Sequence, residues 1–135
     1  MATTEVEIVS PQRNLFSGEA EMVVCRAEGG DIAFLANHMP YLAVLEPGVV
    51  RLDLEGGEQL RFAVHGGFVE VHDNRVTMLA SVAETPEEID VARAQRALDE
   101  AERRVSAGDD PDAERARQRA EARLEVARAP GAGQH

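Results

Sequence analysis

Hydrophobic residues recur at every second position through the first 84 residues. Such alternation is typical of short strands that bury one face. Turn-forming segments separate the strands at close intervals, among them SPQRN, EGGD, EGGE, HGG and HDNR. The spacing predicts an all-antiparallel β-sandwich or barrel over residues 1–84. The apolar positions that define it are Val6 and Ile8; Met22 to Cys25; Val50, Leu52 and Leu54; Leu60, Phe62 and Val64; Val69 and Val71; and Val76 and Met78.

The pattern becomes helical after residue 84. Thr85-Pro86-Glu87-Glu88 offers an N-cap, a proline at the first helical position and an acid that closes a capping box, so a helix is predicted to start there. Gly108 is predicted to end it, and Asp110 with Pro111 to start a second. Each helix carries a narrow apolar stripe: Ile89, Ala94, Ala97, Leu98, Ala101 and Val105 in the first, and Ala113, Ala116, Ala120, Leu124 and Ala127 in the second.

These patterns predict an α+β chain, with an N-terminal antiparallel β-sandwich followed by a C-terminal antiparallel two-helix hairpin over residues 85–128. Residues 129–135 are expected to be a disordered tail. Alanine stripes let helices approach closely but bury little area, at roughly 25 cal/mol per Å². The hairpin is therefore expected to be weakly held, with a second arrangement close in energy, which suits a switch.

Charge and composition limit the function. The 135 residues carry a formal net charge of -11, which argues against a general binder of nucleic acid or anionic membranes. No apolar stretch approaches the roughly 18 residues of a membrane span, and the N-terminus does not resemble a signal peptide. We expect a cytoplasmic protein that does not insert into membranes. The lone Cys25 is interpreted as a small buried hydrophobic residue.

Residues that often carry catalysis lack the spacing that it requires. His38, His65, His72 and His135 have no metal-ligand spacing, and the glycine pairs lack the context of a phosphate-binding loop. Ser17, Ser81 and Ser106 have no nucleophile-elbow surroundings. We therefore expect neither a catalytic residue nor a metal site, and no required cofactor.

Three segments together resemble a known family. VEIVSPQRNLFSG (residues 6–18), EGGDIAFLANHMPYLAVLEPGVVRL (28–52) and HGGFVEVHDNRVTMLA (65–80) are similar, in order and spacing, to the epsilon subunit of bacterial F-type ATP synthases. Ala33 and Asn37 replace two glycines usual in that family. Asparagine tolerates a left-handed backbone, so the turn at Asn37 is expected to survive, and Ala33 is expected in an ordinary strand.

The resemblance implies a non-catalytic central-stalk subunit at the cytoplasmic face of the cell membrane, in a complex for ATP synthesis and hydrogen ion transport. It implies that the sandwich docks on the gamma subunit and the c-ring. The hairpin would inhibit ATP hydrolysis by extending to the alpha and beta subunits of the catalytic head. Asp31 and His38 fall on loops that face the rotor in the family, although both can equally be ordinary turn residues.

A second motif suggests that the hairpin senses nucleotide. Ile89-Asp90-Val91-Ala92-Arg93-Ala94 resembles a family motif associated with binding one regulatory ATP, which implicates Ile89, Asp90, Arg93 and Ala94, with Glu84 nearby. If the hairpin turns at Gly108, residues whose numbers sum to about 216 lie level, so Arg93 faces Arg123 and Arg119 lies one turn nearer the loop. These arginines could bind phosphates. Alternatively, Asp90, Asp99 and Glu102 neutralise them in a solvated charge lattice.

Two other functions remain open on sequence grounds. The chain could be a free-standing sandwich that binds a ligand and dimerises through a coiled-coil tail. It could also, more remotely, be an enzyme that depends on His38. A native mass measurement separates the first from a stalk subunit, and a screen for hydrolase activity tests the second.

Overall fold

A computed structural model describes residues 2–108 and 110–128. Ten short strands form one sheet that folds over on itself, and two helices follow it. The N-terminal sandwich and the C-terminal helical pair confirm the predicted α+β class. The predicted tail lies outside the described residues. The strands are β1 Thr4–Val9, β2 Asn14–Ala20, β3 Met22–Ala27, β4 Gly30–Leu35, β5 Tyr41–Leu45, β6 Gly48–Asp53, β7 Gln59–Val64, β8 Gly67–His72, β9 Arg75–Ala80 and β10 Ala83–Glu84.

The sheet is not wholly antiparallel. Its strand order is β10-β7-β6-β3-β5-β8-β9-β1-β2, with β4 paired to β3, and most neighbours run antiparallel. Strands β1 and β9, however, pair in parallel, with Val6 opposite Val76 and Ile8 opposite Met78. The expectation of an all-antiparallel sandwich was therefore wrong at this ladder. Turn signals identify hairpin partners only, whereas β1 and β9 are far apart in sequence.

Alternation along the strands fills one continuous core. The inward positions are almost completely buried, including Ile8, Phe34 and Leu52, each with 0% relative exposure. Cys25 is also 0% exposed, as the sequence predicted, and burial raises the pKa of its thiol to about 12. Large β-branched and aliphatic side chains on both inner faces of the sheet therefore hold the sandwich together.

Two positions show why the turns need their residues. A Cβ on Gly67 would lie 2.1 Å from the Leu79 carbonyl oxygen, so only glycine lets β8 and β9 approach there. Asn37 adopts a left-handed backbone with φ 62°, as expected for an asparagine in place of the usual glycine. Ala33 lies in β4 opposite Val24, an ordinary strand position, as predicted.

The first helix starts later than predicted. Thr85 and Glu88 do form a capping box, but it closes a single 3-10 turn at Pro86–Glu88. The chain then extends through Ile89, and α1 (Val91–Ala107) starts with Asp90 as its N-cap. The capping box was thus identified correctly, but it belongs to the linker. It orders this linker between the sandwich and the hairpin.

The hairpin turn follows the prediction closely. Gly108 ends α1 with φ 78°, and its N–H bonds to the carbonyls of Arg104 and Val105. Asp110 accepts a hydrogen bond from the N–H of Asp112 (2.9 Å), and α2 spans Ala113–Arg128. The two helices pack against each other as the expected antiparallel pair.

The second helix buries more than the predicted single stripe. Ala122 and Val126, outside that stripe, are 4% and 1% exposed and pack against Ala63 of β7. Val49 and Ile89 flank this small apolar contact. Helix α2 thus lies between the sheet and α1, whereas Ala97 of the predicted α1 stripe is exposed. The hairpin is folded against the sandwich.

Candidate functional site

One carboxylate joins the sandwich to the hairpin. Glu84 ends β10, opposite Ala63 of β7. Its Oε1 oxygen accepts a hydrogen bond from Arg123 Nε of α2 at 2.7 Å and another from His65 Nε2 at 2.8 Å. A single oxygen is therefore shared by a donor from the sheet and a donor from the helix. This junction includes two of the residues predicted to bind nucleotide, Glu84 and Arg123.

Electrostatics within the junction favours ionised Glu84 and neutral His65. Burial opposes ionisation of Glu84, but the hydrogen bonds from His65 and Arg123 outweigh it, so its pKa is lowered. Burial also lowers the pKa of His65, and the charges of Arg123 and Arg119 lower it further. The sequence analysis did not assign His65 to this site, because a lone histidine before a glycine pair carries no local signal of its partner.

Arg115, Arg119 and Arg123 of α2 face the sandwich. Arg119 is half-buried and close enough to His65 to lower its pKa, and Arg115 Nη1 lies 3.4 Å from Glu46 Oε1. The alternative charge lattice through Asp90, Asp99 and Glu102 is not what pairs with Arg123, since its partner is Glu84. The structure therefore brings together Arg119, Arg123 and Glu84.

The residues of the motif on α1 have structural roles in the folded chain. Asp90 Oδ1 accepts a hydrogen bond from the Arg93 backbone N–H at 3.1 Å, so it acts as a helix cap. Ala94 is buried, and Ile89 belongs to the apolar contact under α2. The Arg93 side chain is exposed, whereas the Arg123 guanidinium is already paired with Glu84. Phosphates bound between the helices would have to draw these groups together.

The ion pair between Arg13 and Glu88, which we call the clasp, joins the linker to the sandwich. Arg13 Nη2 lies 2.5 Å from Glu88 Oε1, and Glu88 also accepts a hydrogen bond from the Thr85 N–H. The bond from Arg13, with that from Thr85, lowers the pKa of Glu88 to about 2. Arg13 thus anchors the capped turn to the loop after β1. It was not singled out in the sequence, because a 75-residue separation hides the pair.

The two proposed rotor contacts lie at opposite ends of β4. Asp31 follows the start of the strand and pairs with Arg26 (Nε to Oδ1 3.1 Å). His38 follows its end, with its ring 5.0 Å from that of Phe34 and its Nδ1 2.7 Å from the Met39 carbonyl oxygen. About four residues of extended chain, roughly 13 Å, separate Asp31 from the end of the strand. One small loop cannot present both residues.

A cavity of about 470 Å³ lies between α2 and strands β3, β6 and β7. Its charges are mixed, with arginines from the sheet facing acids from the helix, so it has no single-sign surface that selects an anion or a cation. The charged and polar side chains that line it are Arg26, Asp31, Arg51, Arg61, Gln118, Glu121 and Glu125. Asp31 is therefore on the side of the sandwich that carries the hairpin.

The outer face of the sheet has an apolar row. Phe68 of β8 lies directly opposite Val44 of β5 and Leu79 of β9, and all three side chains point outward. They are 54%, 42% and 54% exposed, respectively. Leu42, on the same face of β5, is 69% exposed. A contiguous exposed apolar row on a sheet is typical of a protein–protein contact.

Within the part of the chain that the structure describes, no cluster of three or more histidine, cysteine or acidic side chains could hold a metal ion. Over the same residues, no helix has the length and apolar character needed to cross a membrane.

The sequence and the fold match a known family. The family model for the ATP synthase Delta/Epsilon chain, beta-sandwich domain, matches residues 3–86. The ATP synthase epsilon chain of Desulforudis audaxviator is 48% identical over 80% of this chain and 78% of its own length. That of Bacillus velezensis is 47% identical over 94% of this chain and 98% of its own.

Solved structures of ATP synthases contain chains with the same fold. A chain of the Euglena gracilis mitochondrial ATP synthase superposes with a TM-score of 0.72 and 26% identity, covering 93% of this chain and 78% of that one. A central-stalk chain of the Tetrahymena thermophila enzyme shares the fold alone, with a TM-score of 0.51 and 19% identity over 62% of this chain and 67% of that one. The chain belongs to the ATP synthase epsilon-chain family. It is a subunit of the central stalk of that complex.

Proposed function

We propose that this chain, at the cytoplasmic face of the cell membrane, couples the rotor of a proton-translocating ATP synthase to its catalytic head and restrains ATP hydrolysis. It has no active site of its own in this proposal. The observation that carries it is the Glu84–Arg123 junction, where the helical pair is held on the sandwich by a shared carboxylate beside a small apolar contact. A separable hairpin on a fixed base suits a brake.

The sandwich is the docking base. The row of Val44, Phe68 and Leu79 supports a contact with the gamma subunit, because burying it would remove apolar area that the isolated chain leaves in water. The c-ring would contact loops of the sandwich, with Asp31 and His38, near opposite ends of β4, as separate candidates. Co-purification with gamma tests the docking: Phe68→Ser should weaken it, whereas Val91→Ser, at another exposed apolar residue, should not.

The hairpin is the brake. Released from the sheet, its arginine-rich helices would extend toward the alpha and beta subunits and obstruct rotation, whereas the folded form would not. Deleting residues 86–135 from the reconstituted complex should raise ATP hydrolysis and leave proton-driven synthesis largely intact. Unchanged hydrolysis would remove the inhibitory role and leave docking as the function.

One regulatory ATP would set the position of the brake. Its phosphates would bind Arg93, Arg119 and Arg123, with Asp90 and Glu84 orienting the nucleoside beside Ile89 and Ala94. A ligand at 100 times its dissociation constant stabilises the form that binds it by about 2.7 kcal/mol, enough to dominate a weakly held hairpin. High ATP would then keep the helices folded.

Calorimetry on the isolated chain tests this site. We expect heat on adding ATP to the wild type, and much less for Arg93→Ala and Arg123→Ala. Arg103→Ala is the matched control, because Arg103 pairs only with Glu100 on the exposed face of α1 among the described residues. Equal heats in all four proteins, or none in the wild type at millimolar ATP, would leave the arginines as structural charges.

The dimerisation alternative has less support. The alanines expected to form a coiled-coil seam, such as Ala101 and Ala120, are already buried within the folded chain at 1% and 0% exposure. A second copy of the chain would therefore have little of that alanine surface available to bind. A native mass equal to one chain, and a 1:1 complex with gamma, are the expected results.

A further inference from the structure

His65 is a buried titratable group that the proposed nucleotide site does not use. Its side chain is only 3% exposed, and it lies in the turn between β7 and β8, where its N–H bonds to the Val82 carbonyl (2.9 Å). Gly67 fixes this turn, because no side chain fits against Leu79 there. The backbone of His65 is thus held in place by the sheet, and its ring by the hydrogen bond to Glu84.

The hydrogen bonds of the ring define its neutral form. A carboxylate only accepts, so Nε2 carries the hydrogen that it donates to Glu84. Nδ1 is buried with no hydrogen-bond partner among the described residues. In neutral His65, Nδ1 is a bare acceptor. In the imidazolium it would become a buried N–H without a partner, which is costly inside a protein.

The charges of the two nearby arginines act in the same direction, whereas Glu84 opposes them. The charged groups that face His65 are Glu84 of β10 and, from α2, Arg123 and Arg119. While α2 is docked, a protonated His65 would be a third cation around a carboxylate that already holds Arg123. When α2 leaves, both arginines leave with it, and Glu84 is left with one partner, His65. The imidazolium would then replace the guanidinium on Glu84.

We propose that His65 is a proton-sensing site at which protonation competes with Arg123 for the Glu84 carboxylate and releases the hairpin from the sandwich. Acidification thereby favours the extended hairpin. The input is a proton and not a nucleotide, so the proposal stands or falls without ATP. All of its tests are made in nucleotide-free buffer, which separates its failure from that of the ATP site.

The pH range follows from the sign of the shift. Burial, together with the charges of Arg123 and Arg119, lowers the pKa of His65 below its ordinary 6.5 in the docked form, against the opposing effect of Glu84. In the undocked form the arginines are gone and Glu84 remains, so the pKa is higher. Well above that undocked pKa the residue is neutral in both forms; as the pH falls through it, the undocked form takes up the proton first, so docking weakens until the docked pKa is reached. Glu84 begins to contribute only below its ordinary pKa of 4.5.

The first test measures His65 directly. NMR titration of the full-length chain should give His65 a pKa below 6.5, and Arg123→Gln should raise it. Each unit of difference between docked and undocked forms corresponds to a tenfold change in the docking equilibrium. An unchanged His65 pKa in Arg123→Gln would overturn the competition. A wild-type His65 pKa at or above 6.5 would also overturn the proposal, whatever the folding of the variant.

The second test measures the hairpin. Hydrogen exchange of α2 amides, corrected for intrinsic rates, should show roughly threefold to tenfold more opening at pH 5.5 than at pH 7.5. His65→Gln, which can still donate to Glu84 but does not titrate, should abolish this dependence. His72→Gln, at an exposed histidine, should keep it. A pH dependence that survives in His65→Gln, or is absent from the wild type, would contradict the proposal.

Discussion

The sandwich and the hairpin are stabilised in different ways. The sandwich buries a contiguous core of large side chains, with Phe34, Ile8 and Leu52 at 0% exposure. Among the described residues, the apolar contact of the hairpin with it has Ala63, Ala122 and Val126 as its buried members. At about 0.8 kcal/mol per buried methylene, the first core exceeds the second contact several-fold. The chain thus combines a fixed base with a part that can be removed.

Polar contacts partly offset this difference. The sandwich is held mainly by backbone ladders and apolar burial, whereas the hairpin depends on a few specific groups: Arg123 on Glu84, Arg115 on Glu46 and the clasp at Glu88. Specific polar contacts are sensitive to ligands and protons in a way that apolar burial is not. Because the docking of the hairpin depends on a few polar contacts, it can respond to ligands and protons.

The largest change in the free energy of unfolding is expected from a substitution in the core of the sandwich. Phe34→Ala should lower the free energy of unfolding by about 3 to 5 kcal/mol, because it leaves a cavity in a fully buried core. Phe68→Ala, at a residue 54% exposed, is the matched control and should change it by no more than about 0.5 kcal/mol. Denaturant titration measures both. Similar losses in the two variants would mean that the outer row is also part of the stabilising core.

The second-largest effect is expected from a substitution that detaches the hairpin and leaves the sandwich folded. Val126→Asp places a carboxylate in the apolar contact with Ala63, so α2 should detach rather than bury the charge. Hydrogen exchange of α2 should rise strongly, while buried Cys25 should stay as slow to label with a thiol reagent as in the wild type. Ala97→Asp, on an exposed face of α1, is the control. Fast labelling of Cys25 in Val126→Asp would show that the sandwich needs the hairpin.

A shortened chain makes the same comparison without a substitution. A protein ending at Glu84 keeps β10 and the whole sandwich core, so it should unfold cooperatively and bind gamma. Loss of α2 uncovers Ala63 and little else from the buried contact of the sheet. Non-cooperative melting would mean that the base and the removable part form a single unit.

The sequence predicted the parts that depend on near neighbours. Alternation identified the strands that carry the core, and Gly108 and Asp110 marked the hairpin turn. It failed where distant segments meet. The parallel pairing of β1 with β9 has no local signal, and the buried pair Ala122 and Val126 is hidden among the charged residues of ARLEVAR. An amphipathic pattern shows one apolar face clearly and a second, narrow one poorly.

The candidate site was only half predictable for the same reason. The motif at Asp90 and the arginines of α2 were visible as residue types, but their partners were not. Arg123 bonds to Glu84 across 39 residues, and His65 reaches the same oxygen from another turn of the sheet. Which of several acids an arginine selects depends on how the helix docks, which only the tertiary structure fixes.

A smaller effect is expected at the Glu84–Arg123 pair. Glu84→Gln and Arg123→Gln should each weaken docking by about 1 to 2 kcal/mol, since a half-buried, charge-assisted hydrogen bond is lost. The double variant should cost less than the sum, because the two groups act on each other. Hydrogen exchange of α2 gives the three values. Strict additivity, or an equal effect from Arg103→Gln, would show that the pair does not hold the hairpin.

The smallest effect should come from the clasp at the linker, where both side chains are largely exposed. Arg13→Gln should barely change the melting temperature at neutral pH, because solvent screens the pair. It should instead raise the pKa of Glu88, which is lowered from 4.5 to about 2, first by Arg13 and then by Thr85. Because that pKa is lowered by folding, its stabilising contribution is complete above pH 4.5 and is lost as the pH falls from 4.5 toward 2.

NMR titration of the Glu88 carboxyl measures this shift in the wild type and the variant. Arg75→Gln, which breaks the exposed pair with Glu5, is the control and should leave Glu88 unchanged. A Glu88 pKa that stays near 2 without Arg13 would assign the shift to the capping box alone. In that case the linker turn is ordered by its own residues, and Arg13 does not anchor it to the loop after β1.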